Sequence, residues 1–239
     1  MPEVPLEQVA AWLAEALETG GPLAPLPAGT EPAGIEEGER VATLVLEALE
    51  LTPCGLRLAY APGGEVLAGP VLEGRLLPDG TTVALATARH AAVAPGVMGV
   101  LSDDLAPEPD GGSVLPPFSA LHPILDVSSW RLREPPGSAG LAAADLAGHG
   151  FIIAGRGKKP GPSLESLSVG MALAGARRRP ATRNAAAALL AAAEAARRRG
   201  GLPRGALLAV VLGQGVAPRE GQELVAGLGA LGRVRASFR

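Results

Sequence analysis

Beyond residue 54, glycine and proline interrupt this chain so often that only one later stretch, Ala185 to Arg199, can run on as a helix. The rest of that region is a series of short apolar runs between turn residues, a pattern that predicts strands. The runs are Leu56–Tyr60, Val66–Leu77, Thr81–Thr87, Val97–Leu101 and Ser119–Val127 before the helix. Ala206–Leu212, Glu223–Ala226 and Arg233–Phe238 follow it. Pro78-Asp79-Gly80 reads as a turn, because proline presets φ and glycine tolerates positive φ. Loops rich in proline and glycine are expected at 106–117, 133–140 and 155–163. The late helix has Asn184 as N-cap, Arg197–Arg199 at the negative end of its dipole and Gly200-Gly201 as its stop. Its body of alanine and leucine implies close packing against a sheet. Strands and helices do not alternate regularly, which argues against a doubly wound sheet.

The first 53 residues have a different texture. Leu6, Val9, Ala10, Leu13 and Leu17 recur on one face of a helix over 4–18, with Pro5 in its first turn and Gly20-Gly21 ending it. A proline-rich connector follows. A second helix over 35–50 places Glu36, Glu37 and Glu39 near its positive end and turns Val41, Leu44, Val45 and Ala48 inward. The expectation is an α+β fold, a β-rich sandwich or roll with one packed Ala-rich helix. An N-terminal helical segment (1–53) and a body (54–239) would form one compact unit.

A net charge of −3 gives no field for nucleic acid or an anionic membrane. Aromatic residues are only 3% of the chain, too few for a base-stacking platform. Cys54 is the single cysteine, which fits a reducing compartment. No signal peptide and no uncharged apolar run of about 18 residues is visible, so a cytoplasmic, soluble protein is expected. Nineteen arginines against two lysines, with abundant Ala, Gly, Leu and Pro, suggest a GC-rich or thermophilic bacterium.

Several motifs look chemical and are read otherwise. Gly227-Leu-Gly229-Ala-Leu-Gly232 spells a dinucleotide-binding fingerprint, but a strand pattern follows it, not a helix, so a turn between strands is expected. Gly155–Ser163 is glycine-rich and basic, yet Pro160 and Pro162 remove amides that a phosphate would need; it reads as a solvated loop. His90, His122 and His149 have no zinc-ligand spacing, and no serine elbow exists.

The order of looser motifs is more telling. Residues 185–215 (AAAALLAAAEAARRRGGLPRGALLAVVLGQG) and 217–238 (APREGQELVAGLGALGRVRASF) form an Ala-rich helix followed by two glycine-bounded strand segments. Upstream stand Ala144-Asp145-Leu-Ala147-Gly-His149-Gly150-Phe151, Ile124-Leu125-Asp126 and, at the front, LAEALETGGPLAPL. In this order the chain resembles the fumarylacetoacetate hydrolase superfamily, in its hydratase and decarboxylase branch. The resemblance implies the fold above, and enzymes that hold Mg2+ or Mn2+ on an E-x-E pair and a third glutamate to activate a 2-keto acid.

With Asp104-Leu105 as the anchor, the glutamate positions fall on Ala94, Gly96 and Pro123, so no metal cofactor is expected. The family's lysine falls on Arg57 and its terminal serine on Gly215. The resemblance leaves Asp145 and His149 as catalytic candidates and Arg57 and Asp126 as substrate-binding candidates. Two functions follow from it. One is a metal-free relative that binds a small 2-keto acid or serves as a partner subunit to a related hydratase or decarboxylase. The other is an active lyase on 2-keto or 2-hydroxydienoate acids, with Arg57 as anion clamp and Asp145 or His149 as acid or base; Mg2+ or Mn2+ would enter only if a site outside the family's exists. The first is preferred, because arginine cannot replace a lysine acid or base. A homo-oligomer is expected, with neither nucleic acid nor membrane as partner.

Overall fold

The computed structural model describes residues 5–107, 114–161, 164–173, 176–177 and 179–239. Residue 4 of the expected first helix and parts of the 106–117 and 155–163 loops lie outside them. Two helices come first, α1 (Leu6–Thr19) and α2 (Ile35–Ala48). Then follow β1 (Gly55–Tyr60), β2 (Val66–Val71), β3 (Leu76–Pro78), β4 (Thr82–Val83), β5 (Ala92–Leu101) and β6 (Phe118–Ser128). A short helix α3 (Ala139–Ala144) precedes β7 (His149–Ala154), β8 (Leu167–Leu173), β9 (Ala176–Arg177) and β10 (Ala181–Arg183). The Ala-rich helix α4 (Ala185–Arg198) leads into β11 (Leu207–Val211), β12 (Glu223–Leu228) and β13 (Arg233–Phe238). The α+β architecture matches the expected one.

Seven strands form one sheet in the order β2-β1-β11-β5-β6-β7-β3, mostly antiparallel, with β1/β11 and β3/β7 parallel. The second sheet runs β10-β8-β12-β13-β4, with β9 paired to β8. The first sheet cannot be flat. Its two edge strands, β2 and β3, are joined by only the residues between Val71 and Leu76, a reach of about 18 Å fully extended. A flat sheet of seven strands would separate those edges by about 29 Å. The sheet is therefore rolled. Val71, Met98, Ile124, Ile152 and Ala209, from five different strands, meet in one cluster inside the roll.

Strand alternation sends the other side chains to the convex face. Leu56, Val97, Leu125, Leu208 and Val210 pack there against the second sheet and against α4, which contributes Leu189, Ala192, Ala193 and Ala196. The alanines of α4 let the helix lie close on the sheet. A third layer joins α1 and α2 through Val9, Leu13, Val41 and Val45 and docks on Leu72, Ala144 and Leu146. Here α2 meets α3 at Gly38, where a Cβ would stand 2.1 Å from the carbonyl oxygen of Gly140. Any side chain would push the helices apart.

Several elements differ from expectation. The run Val66–Leu77 is two strands, broken by a 3-10 turn at Glu73–Arg75 that moves the chain from one edge of the sheet to the other. Of Thr81–Thr87, only Thr82–Val83 is strand; a 3-10 turn follows. Pro5 is the N-cap of α1, not a first-turn residue. The 133–140 loop ends in α3, capped by Ser138 Oγ accepting from Leu141 N–H; its six residues are too few to show a helical period. Strands β7 to β10 were not anticipated. The glycine triplet at 227–232 does make the turn between β12 and β13, with Gly232 at φ 107. Among the described residues, no helix is long and apolar enough to cross a membrane.

Leu189, fully buried on α4, belongs to the core that the helix shares with the sheets. Leu189→Ala should lower unfolding free energy by about 2–5 kcal/mol in a urea titration. An unchanged midpoint would show that α4 is not part of the cooperative core.

Candidate functional site

The open end of the roll is a cleft of about 880 Å³. Its floor consists of alternate residues on the concave face: Arg57 and Ala59 of β1, Val211 of β11, Ala92 and Ala94 of β5, Asp126 and Ser128 of β6. Its walls come from Tyr60, Ala61, Pro62, Gly64, His90, Trp130, Pro135, Arg183 and the Leu212–Gly215 segment.

Arg57 is the largest fully buried side chain, and its guanidinium reaches from β1 to β6. Nε donates to Asp126 Oδ1 at 2.6 Å and Nη2 to Oδ2 at 2.8 Å, a two-bond fork. Nη1 donates to the carbonyl oxygen of Ala147 at 2.7 Å. Strands β11 and β5 lie between β1 and β6, and their concave-face residues nearby are Ala209, Ala94 and Gly96. Small side chains leave the space that Arg57 occupies. At Gly96 even a Cβ would stand 2.3 Å from the carbonyl oxygen of Val210.

Asp145 and His149 belong to a separate buried network behind this one. Asp145 accepts from Arg131 Nε at 2.5 Å and from its main-chain N–H at 2.8 Å. The same guanidinium donates to the main-chain oxygens of Asp145 and His149. Burial pushes the Asp145 carboxyl up, against the opposing pull of Arg131. His149 Nε2 accepts from Leu72 N–H at 3.3 Å, so Nδ1 carries the proton, and among the described residues it has no partner. Burial first, then Arg57, Arg131 and Arg75, hold the imidazole well below its usual pKa and therefore neutral. Between the two residues, Leu146, Ala147 and Gly148 all take left-handed backbone, at φ 51, 52 and 66. The two arginines hold this turn by its carbonyls.

Of the residues singled out in the sequence, Arg57 and Asp126 thus come together in the cleft, while Asp145 and His149 lie buried outside its lining. Ala94 lines the cleft and Gly96 shares its face; Pro123, by alternation, is on the opposite face of β6. Sequence reasoning missed Arg183, Tyr60, Trp130 and the cleft position of His90, because none sits in a motif. Arg183 donates from Nε to Leu212 O at 2.9 Å and has no carboxylate partner among the described residues. His90 holds its Nε2 on the carbonyl oxygen of Arg133 at 2.8 Å, leaving Nδ1 as its open nitrogen.

The lining does not suit a divalent cation. Its single carboxylate, Asp126, has both oxygens engaged by a guanidinium. Among the described residues no three His, Cys, Asp or Glu side chains gather to hold an ion. Hard cations need several oxygen ligands.

A rolled mixed sheet, a second sheet against its convex face and a cleft at the open end define the fold of the fumarylacetoacetate hydrolase superfamily. In particular, the chain is similar to 4-oxalocrotonate decarboxylase from Pseudomonas putida G7 complexed with magnesium and adipate, at 20% identity and TM-score 0.78 with both chains covered in full. The same enzyme complexed with calcium and acetate gives 20% identity, full coverage of both chains and a TM-score of 0.74. Fumarylpyruvate hydrolase from Pseudomonas aeruginosa, in complex with Mn2+ and pyruvate, is 12% identical over 73% of this chain and 78% of its own, with a TM-score of 0.54. No family model and no curated protein matches the chain. At these identities the likeness establishes the fold, and the chain is a divergent example of it.

Two outcomes follow from the charges. Calorimetry with Mg2+ or Mn2+ should give no binding heat at sub-millimolar ion, and saturable binding there would contradict the reading of Asp126 as engaged. His149 has a folded pKa below its unfolded value, so the unfolded chain binds a proton that the native one does not. Stability therefore falls as pH drops below about 6.5. The melting midpoint should drop more steeply between neutral and mildly acidic pH in wild type than in His149→Gln. Parallel curves would acquit His149.

Proposed function

We propose that this protein is a metal-independent binder of a small organic acid, of the 2-keto class, and that it does not catalyse the lyase chemistry of its structural neighbours. The observation that carries this reading is the pairing of charges in the cleft. Asp126 is neutralised by Arg57, while Arg183 lines the same space with no carboxylate partner among the described residues. Arg57, almost fully buried, has each of its three guanidinium nitrogens engaged by Asp126 or Ala147. The cleft thus offers a carboxylate one permanently charged guanidinium on the wall, that of Arg183. Three solved neighbours hold carboxylates of their own, adipate, acetate and pyruvate.

Against catalysis stand the arrangements around the candidate acids and bases. Both carboxylate oxygens of Asp145 accept from Arg131, and His149 is buried, neutral and outside the cleft lining. Arg57 cannot exchange its proton near neutral pH.

Pyruvate or oxalate in the presence of a chelator should raise the melting midpoint of wild type. At a hundred times Kd the stabilisation is about 2.7 kcal/mol. Arg183→Ala should lose the shift, and Arg57→Ala should both weaken it and destabilise the unliganded protein. If neither acid shifts wild type, the acid reading fails and a role as partner subunit takes its place. Turnover of a 2-hydroxydienoate would replace it with the lyase reading.

A further inference from the structure

We infer that the acid held in this cleft carries an unbranched aliphatic chain of roughly eight carbons, laid on the apolar floor with its carboxylate outward on Arg183. This rests on the acid-binding reading above. Ala59, Val211 and Ala94 pack together as a small buried cluster, and all three line the cleft. Alternation puts Ala59 on the face of β1 that bears Arg57, and the β1/β11 and β11/β5 ladders carry Val211 and Ala94 onto that same face. From β1 across β11 to β5 is two strand spacings, about 10 Å, the length of a roughly eight-carbon chain of about 1.5 Å bonds.

The polar groups at the floor are already taken. Arg57 gives its three guanidinium nitrogens to Asp126 and Ala147, and Asp126 has both oxygens on Arg57. Ser128 Oγ donates to the carbonyl oxygen of Ala92. A carboxylate pressed onto this surface would lose its water beside groups bonded to one another. CH2 groups there lose no hydrogen bond and gain by leaving water.

Arg183 receives the other end. Its Nε donates to Leu212 O at 2.9 Å and its Nη1 to Thr182 O at 3.3 Å. Leu212 directly follows Val211, so one stretch of chain supplies a floor residue and ties down the guanidinium above it. Arg183 is itself exposed. An acid lying this way keeps its charge at the water-facing lip, and only its hydrocarbon leaves water. Size agrees: a three-carbon acid would leave most of a cleft of about 880 Å³ to water.

Pyruvate, 2-oxohexanoate and 2-oxooctanoate differ only in chain length, and 2-oxooctanedioate adds a second carboxylate at the far end. Calorimetry on wild type, Val211→Thr and Arg183→Ala, all with chelator present, separates the parts of the claim. In wild type each added CH2 should tighten binding about two- to fourfold, and the diacid should bind about tenfold more weakly than 2-oxooctanoate. Val211→Thr keeps the branched shape and sets a hydroxyl in the floor. It should weaken 2-oxooctanoate about three- to tenfold and leave pyruvate unchanged. Arg183→Ala should weaken all the monoacids alike. Three results overturn the chain assignment while the acid reading stands: pyruvate binding wild type as tightly as 2-oxooctanoate, the diacid matching or exceeding 2-oxooctanoate, or Val211→Thr leaving 2-oxooctanoate affinity intact. If none of these acids binds wild type, both readings are overturned.

Discussion

The fork between Arg57 and Asp126 is the interaction on which the interior of this protein depends. It joins β1 to β6 across the hollow of a rolled sheet, and its third bond reaches the carbonyl of Ala147. Removing one partner of such a buried pair strands a charge without water, at a cost of about 3–5 kcal/mol. Around it the sequence has become small: Ala94, Gly96 and Ala209 make the room in which the guanidinium lies. The same pair engages the one carboxylate that lines the cleft.

A second arginine does comparable service one layer further in. Arg131 holds both ends of the left-handed turn at Leu146–Gly148 by bonding Asp145 and the His149 carbonyl. Non-glycine residues in that conformation cost about 1–3 kcal/mol each, and the fixed bonds offset the strain. Residues that look like acid and base in the sequence are therefore part of a structural knot. Burial keeps His149 uncharged, and the two guanidiniums, with Arg75, add to that effect.

Much of the architecture was legible in the chain. The change of texture at residue 54, the capped Ala-rich helix and the strands after it come from local patterns that the structure keeps. Elements went unseen where the local signal was short or ambiguous: α3 is six residues, five of them Ala or Gly, and β10 is three residues leading straight into a helix cap. The apolar run Val66–Leu77 concealed a break because both halves are strand, and only the edges they occupy differ. In the site, Arg57 and Asp126 could be named from motif order. That Arg131 would close on Asp145 could not, since it depends on tertiary folding. Arg183, Tyr60 and Trp130 arrive from three distant segments, and no spacing in a linear sequence links them.

The strand order of the seven-stranded sheet also governs how the protein can be made. β11, from the last quarter of the chain, inserts between β1 and β5. During synthesis the β1–β2 hairpin and the β5–β6–β7 meander emerge first, and each presents an unpaired edge to its surroundings. Neither can close on the other until residues 207–211 leave the ribosome, long after both exist. Partly made chains are thus exposed to mispairing, and the roll forms as a late, non-local event. The cleft shares that timing. Arg183 and Val211 are among its lining, so a nascent chain that ends before them lacks part of the cleft's wall and floor.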